Sequence, residues 1–290
     1  MSAPSSRRGH PRDPTAVPEG PGEVRAALAE LGVTPSRRWG QSFLTDPFVA
    51  DAEAALVGNP TGAVIEVGGG LGILTAALLR RRSGPLTVLE RDPRLARHLR
   101  RAFGDRIQVV TADALEMPVD PDATYVGNLP FSIATPLLLR WMKARVRRIV
   151  FLVQNEVAER LSAAPGSRSY GRLSIVAELY GRVEPFRLVP PEAFTPRPKV
   201  ESRLAVFEGR PGPLPVPSVV EFERIVRTLF SSRRKQLGNL LPRLVTAPES
   251  AAQLALRAGW PDGWSRRRPE DLSPSSYFVL ARALAEPASE

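Results

Sequence analysis

Four consecutive residues, Asn128-Leu129-Pro130-Phe131, carry the sharpest chemical signal in the chain. They follow an apolar run, Thr124 to Gly127, that reads as a strand, so an amide stands at a strand's carboxyl end with a rigid turn behind it. An exocyclic amine on a purine is a poor nucleophile because its lone pair is delocalised into the ring. An Asn oxygen and a neighbouring main-chain carbonyl can both accept from such an amine, favour its pyramidal form and aim the freed lone pair at the electrophilic methyl of a sulfonium. Pro130 removes a backbone donor and fixes the turn, while Phe131 offers a face on which an extruded base can stack. Taken alone, the four residues could also be an ordinary strand-end turn; their place after this strand favours chemistry.

A second constellation lies upstream. Val64-Ile65-Glu66-Val67-Gly68-Gly69-Gly70-Leu71-Gly72 reads as a buried strand running into a glycine turn, with helical spacing from Ile73 to Arg82. Such a turn lets backbone approach a ligand closely, although a plain tight turn between strand and helix has the same pattern. Glu90 ends the next strand about 20 residues beyond the turn, where an acid can bind both hydroxyls of a ribose. Asp113 ends the third strand, placed to accept from an adenine amine. Each acid could instead be a helix N-cap or a surface charge. No Gly-Lys-Ser/Thr follows the glycines, which disfavours a phosphate-cradling loop and leaves a nucleoside without a phosphate chain as the better ligand.

These residues must be positioned by the elements around them. Short β-branched and apolar runs at Ala63 to Gly68, Leu86 to Glu90, Ile107 to Ala112, Thr124 to Gly127 and Arg148 to Gln154 alternate with helix-length segments. The alternation predicts an α/β fold with a mostly parallel sheet covered on both faces. Glu178 to Leu188 and Ser202 to Glu208, with little helix between them, predict an antiparallel pair at one edge and bring the count to seven strands. Glu23 to Leu31 and Pro47 to Val57 have helical spacing, whereas Met1 to Gly22 is rich in Pro, Ser, Gly and Arg and reads as a disordered basic tail rather than a secretory signal. Gly209 to Pro217, with four prolines and two glycines, reads as a linker; helices are expected beyond it at Val219 to Phe230, Arg233 to Leu244, Pro248 to Ala258 and Pro274 to Leu284. The expected organisation is a tail over 1–22, a catalytic domain over 23–208, a linker over 209–217 and a small C-terminal helical domain over 218–290.

A net charge of +10 and a pI near 10.9 point to a polyanionic partner, nucleic acid first, with a merely solvated basic surface as the plainer alternative. Lysine occurs only at Lys143, Lys199 and Lys235, so nearly all of the 40 basic residues are arginine, suited to phosphate and to base stacking but also open to a genomic explanation. The absence of cysteine excludes disulfides, thiolate zinc sites and cysteine nucleophiles, and two histidines with no spaced carboxylate cluster leave no metal site expected. No apolar run approaches the roughly 20 residues needed to span a bilayer, so a cytoplasmic protein is expected.

From about Gly40 to Leu284 the chain resembles the KsgA-type rRNA adenine dimethyltransferases, relatives of the Erm resistance methylases. The likeness is carried by Gly40-Gln41-Ser42-Phe43-Leu44, Glu66 to Gly72 and Asn128 to Phe131. It extends to Gln154 to Leu161, Tyr170 to Ser174, Val189 to Val200 and Arg233 to Leu237. The resemblance implies a Rossmann-like class I methyltransferase that uses S-adenosylmethionine. Cofactor contacts are implied for Gln41, Ser42, Leu44, Gly68, Gly70, Glu90, Asp113 and Asn128, with Asn128, Leu129, Pro130 and Phe131 as the catalytic turn. Ser42 stands where the family usually has Asn or His, and Phe131 where Tyr is commoner. The implied substrate is two adjacent adenosines in a hairpin near the 3′ end of small-subunit rRNA, methylated at N6 during ribosome assembly by a monomer. Arg140, Lys143, Arg145, Arg147 and Arg148, and separately Arg233, Arg234 and Lys235, are expected to meet phosphates. An Erm-like enzyme acting on large-subunit rRNA is the alternative, and a non-catalytic RNA-binding factor on the same fold is a third reading.

Overall fold

A computed structural model describes residues 17–36, 40–245 and 249–286. The chain opens with α1 (Gly20–Glu30), β1 (Phe43–Leu44) and α2 (Pro47–Val57), then alternates β2 (Val64–Val67), α3 (Ile73–Arg81), β3 (Leu86–Glu90), α4 (Pro93–Phe103), β4 (Gln108–Thr111), β5 (Thr124–Asn128), α5 (Ala134–Lys143) and β6 (Arg148–Gln154). It continues through α6 (Asn155–Leu161), α7 (Arg172–Tyr180), β7 (Gly181–Val189), β8 (Phe194–Thr195) and β9 (Ser202–Gly209) to α8 (Val219–Phe230), α9 (Ala251–Arg257) and α10 (Pro274–Ala285). Seven strands form one sheet in the order β4-β3-β2-β5-β6-β9-β7, parallel from β4 to β6 and antiparallel at β9 and β7. The expected Rossmann-like sheet with one antiparallel edge is thus present. A small antiparallel pair, β1 with β8, was not foreseen.

Local sequence explains the joints. Asp46 and Asp92 cap α2 and α4 by accepting from Phe48 N and Arg94 N at 2.9 and 2.8 Å, each followed by a proline suited to a first helical turn. Ile149 to Val153 of β6 are wholly buried because helices cover both sides of the sheet. Val150 and Leu152 face the layer formed by α2, α3 and α4; Ile149, Phe151 and Val153 face the layer that includes α5, α7, α8 and α10.

Several boundaries differ from the sequence reading. α1 starts at Gly20, inside the stretch read as tail, and Gly20 N donates to Thr45 O at 2.8 Å; residues 1–16 lie outside the described residues. Glu178, Leu179 and Tyr180 end helix α7 instead of starting a strand. The strand begins at Gly181, where any Cβ would lie 2.1 Å from Glu208 O, so only glycine lets β7 meet β9 there. The expected helix at Arg233 to Leu244 is replaced by two short 3-10 turns, Leu237–Asn239 and Leu241–Arg243. Leu237 N is drawn to Arg267 O at 2.8 Å instead of an i−4 carbonyl, and Pro242 has no N–H to give. α9 begins at Ala251, capped by Ser250, later than expected; Pro248 lies outside the described residues.

The division at 209–217 is chemically a strap. Arg145 donates from Nη2 to Arg210 O and Gly212 O at 2.8 and 2.7 Å, Arg282 Nε reaches Pro215 O at 2.9 Å, and Val216 is buried. Phe222, Leu229 and Tyr277 from the C-terminal helices belong to the same apolar cluster as Tyr125 and Trp141, so these helices share one core with the sheet.

Candidate active site

The carboxyl ends of β2, β3 and β5 and the loop after β4 open into one cavity of about 400 Å³, roofed by the segment Gly40 to Leu44. Gln41, Ser42, Leu44, Gly68, Gly70, Glu90, Asp113, Asn128, Leu129, Pro130 and Phe131 all line it. The glycine turn needs its residue type where it meets the cavity: Gly68 and Gly70 have φ of +80° and +55°, and a Cβ on Gly70 would press to 3.3 Å from the Phe43 ring.

Glu90 is almost fully buried, and each of its oxygens takes one backbone N–H: Oε2 from Gly70 and Oε1 from Asp92, both at 2.9 Å. Burial pushes its carboxyl above the usual range, although those two amides pull the other way. A carboxylate has about four lone-pair directions, so two acceptor positions remain for a diol. Asp113 Oδ1 accepts from Leu115 N at 3.0 Å, while Oδ2 pairs with Arg91 Nη1 at 3.3 Å across the cavity wall.

Asn128 Nδ2 donates to Ser42 O at 3.0 Å, which fixes the amide and leaves Oδ1 as its acceptor. Pro130 O is occupied by Ile133 N and Ala134 N, each at 3.0 Å, starting α5; Leu129 N is tied to Leu152 O at 3.0 Å. Phe131 is half-buried at the mouth. The side chains of the roof are spent on holding it: Ser42 Oγ donates to Pro196 O at 2.6 Å, and Gln41 Oε1 accepts from Ser36 N at 2.9 Å.

Among the cavity and sub-cavity residues that the sequence did not single out, four bear on its chemistry. Phe43 and Arg91 are chain neighbours of Ser42, Leu44 and Glu90, and Glu66 opens the glycine motif. Glu53 lies beneath the cavity on α2, fully buried; its spacing from Val49, Ala50 and Val57 puts it on the apolar stripe, and that signal was legible.

The sequence profile of the ribosomal RNA adenine dimethylase family matches residues 34–257. The chain belongs to this family. It is 37% identical over 278 residues to ribosomal RNA small subunit methyltransferase A of Anaeromyxobacter sp. (strain K), covering 90% of this chain and 97% of that one. To the protein of the same name from Pectobacterium atrosepticum it is 35% identical, covering 86% and 93%. The solved 23S rRNA methyltransferase ErmE superposes with a TM-score of 0.66 at 25% identity, covering 84% of this chain and 100% of that one. A dimethyladenosine transferase from Plasmodium falciparum gives 0.71 at 22%, covering 82% and 95%, a likeness of fold.

In this member of the dimethylase family, many of the cations expected to meet phosphates have partners within the chain. Arg140 Nη1 bonds Ala114 O at 3.1 Å, Lys143 pairs with Glu223 at 2.7 Å, Arg145 holds the strap, and Arg148 binds Glu208 and Leu56 O. Arg147 is largely exposed, with Asp122 3.2 Å away. Arg233 pairs with Glu270 and donates to the carbonyls of Ser167 and Arg168, whereas its neighbours Arg234 and Lys235 are exposed. Among the described residues, no helix is long and apolar enough to cross a membrane, and no cluster of carboxylates and histidines is arranged for a metal.

Proposed function

We propose that this protein transfers methyl groups from S-adenosylmethionine to N6 of two adjacent adenosines in a hairpin near the 3′ end of small-subunit rRNA. The observation that carries this reading is the fixed Asn128 amide, its nitrogen used on Ser42 O and its oxygen left to accept beside the cavity. The donor fits the residues present: Glu90 has two acceptor positions for ribose hydroxyls, Asp113 lies across the cavity for the adenine amine, and the Gly68 to Gly70 turn leaves room that a Cβ would fill. When bound, it supplies a methyl group on a sulfonium. Asn128 Oδ1 and the Leu129 carbonyl accept from the target amine, since the Pro130 carbonyl is already committed to α5. Phe131 stacks on the extruded base, and no general base with a strongly shifted pKa is required. The protein works as a cytoplasmic monomer on rRNA within a small subunit or its assembly intermediate, guided by the exposed cations Arg147, Arg234 and Lys235 with Arg140, Lys143, Arg145, Arg148 and Arg233 behind them.

The relatives at 35 and 37% identity favour small-subunit rRNA over the large-subunit target named for ErmE at 25%. Incubation of purified protein and labelled donor with undermethylated small subunits and, in parallel, with large subunits, followed by nucleoside mass spectrometry, should give N6,N6-dimethyladenosine in the small-subunit rRNA. Asn128→Ala should remove that product while cofactor binding persists. Full methylation by the Ala variant, or label confined to large-subunit rRNA, would defeat the proposal.

A further inference from the structure

Three carboxyls are buried in or behind the cavity wall: Glu66 from β2 and Glu90 from β3 line it, and Glu53 from α2 lies behind them. The backbone bonds of Glu90 account for it. Glu66 lines the cavity and takes a hydrogen bond from Thr75 Oγ1 at 2.7 Å, whereas neither oxygen of Glu53 has a hydrogen-bond partner among the described residues. Buried acids left without partners are rare and need a reason.

Burial drives the Glu53 carboxyl well above the ordinary range, the charge of Glu66 adds to this, and the nearby Gly127 amide offsets part of it without closing a hydrogen bond. Burial also lifts Glu66, to about 7; Thr75 tempers the rise and Glu90 adds to it. Other charges of the neighbouring elements are paired: Asp51 of α2 with Arg80 of α3, Asp92 after β3 with Arg94 of α4, Arg91 with Asp113 in the cavity wall, and Arg148 of β6 with Glu208 and Leu56 O. Two adjacent buried acids hold at most one charge between them. Glu53 keeps its proton, and Glu66 is the member that changes charge near neutrality.

We propose that Glu66, the cavity-lining acid packed in this buried cluster with Glu53, senses ligand charge and favours the cationic methyl donor over the demethylated product. This rests on the S-adenosylmethionine reading above. The donor carries one positive charge more than S-adenosylhomocysteine, the thioether left after transfer. In a buried site of low dielectric that charge draws Glu66 into its ionised form and expels its proton. Loss of the sulfonium charge lets the proton return, which weakens the hold on the product.

Titration calorimetry of the whole protein with S-adenosylmethionine and with S-adenosylhomocysteine, from pH 6 to 8 in buffers of different ionisation enthalpy, tests this. Donor binding at pH 7 should release about half a proton, product binding clearly less, and the donor-to-product affinity ratio should rise up to about tenfold from pH 6 to pH 8. Glu66→Gln should remove the release and the pH dependence. Glu53→Gln, which imitates the protonated acid, should leave both in place. Equal proton counts for the two ligands would overturn the proposal, as would linkage that survives Glu66→Gln or vanishes in Glu53→Gln. The wild-type comparison decides the linkage even if a variant does not fold. A wild-type protein that binds neither ligand would sink the cofactor reading itself, whereas binding of both without linkage would sink only the sensor.

Discussion

Glu90→Gln separates the two duties of the buried acid at the end of β3. In the wild-type protein one oxygen holds Gly70 N and the other Asp92 N, both at 2.9 Å, and each keeps a further lone pair for a ribose hydroxyl. The amide has one accepting oxygen; its NH₂ would face whichever backbone N–H loses its partner. One buried donor is then stranded, costing the fold about 1–3 kcal/mol, and one hydroxyl loses a charge-assisted bond worth about 1.5–3 kcal/mol. The second loss corresponds to roughly tenfold to a hundredfold weaker cofactor binding. Calorimetry with S-adenosylhomocysteine and its 2′-deoxy and 3′-deoxy analogues isolates the term. Wild-type protein should lose affinity for both analogues, whereas the Gln variant should be indifferent to one of the two missing hydroxyls. Binding by Glu90→Gln within about twofold of wild type would refute this accounting, and so would equal losses for both analogues in both proteins.

Gly40→Ala should slow methyl transfer about tenfold or more at saturating cofactor, because its φ is +62° and the new Cβ would press to 3.0 Å from Phe131 N and Ser132 N; unchanged turnover would show that the roof does not position the turn. Glu66, raised to about 7, makes the folded protein bind more protons than the unfolded chain between pH 4.5 and 7, so its contribution to stability falls as pH rises through that window. Glu66→Gln should therefore raise the denaturation midpoint at pH 8 relative to wild type and much less at pH 5; an equal effect at both would contradict the shift. Replacing Arg234 and Lys235 by Ala should lower the salt-dependence slope of RNA binding by roughly one per residue with no loss of melting temperature. Arg233→Ala should destabilise the protein by about 1 kcal/mol or more, through the lost bonds to Glu270, Ser167 and Arg168, and a melting curve identical to wild type would disprove that role.

The parallel strands were legible because a sheet buried on both faces demands continuous apolar runs, and the site followed because its residues stand at the ends of those runs. Asn128, Glu90 and the glycines needed no knowledge of distant contacts. Where distant contacts decide, the apolar spacing misleads: Arg233 to Leu244 has leucines at helical intervals, yet Gly238 and Pro242 interrupt it and the bond from Leu237 N to Arg267 O holds it in 3-10 turns. The change from helix to strand at Gly181 was hidden by apolar residues on both sides of it, although the glycine marked the spot. Charge was the least readable property. Lys143, Arg145 and Arg148 read as a phosphate patch by proximity in sequence, but Glu223, the strap carbonyls and Glu208 reach them from later segments of the chain.

The segment Val189 to Val200, marked in the sequence by its likeness to the family, has no side chain among the Asn128, Glu90 and Asp113 contacts, and its bonds go to the roof. Leu44 and Phe43 pair with Phe194 and Thr195, Thr45 bonds Ala193 O through both its N–H and its hydroxyl, and Ser42 Oγ reaches Pro196 O. Ser42 then offers its carbonyl to Asn128. The roof over the cavity and the Asn128 amide are therefore one hydrogen-bonded unit, anchored by residues about 150 positions downstream. A side chain at position 42 that reached down into the cavity would have to give up the bond to Pro196, so the serine's hydroxyl serves the roof rather than the cavity. That use is tolerable only because Asn128 needs the main chain of residue 42, which every residue type supplies.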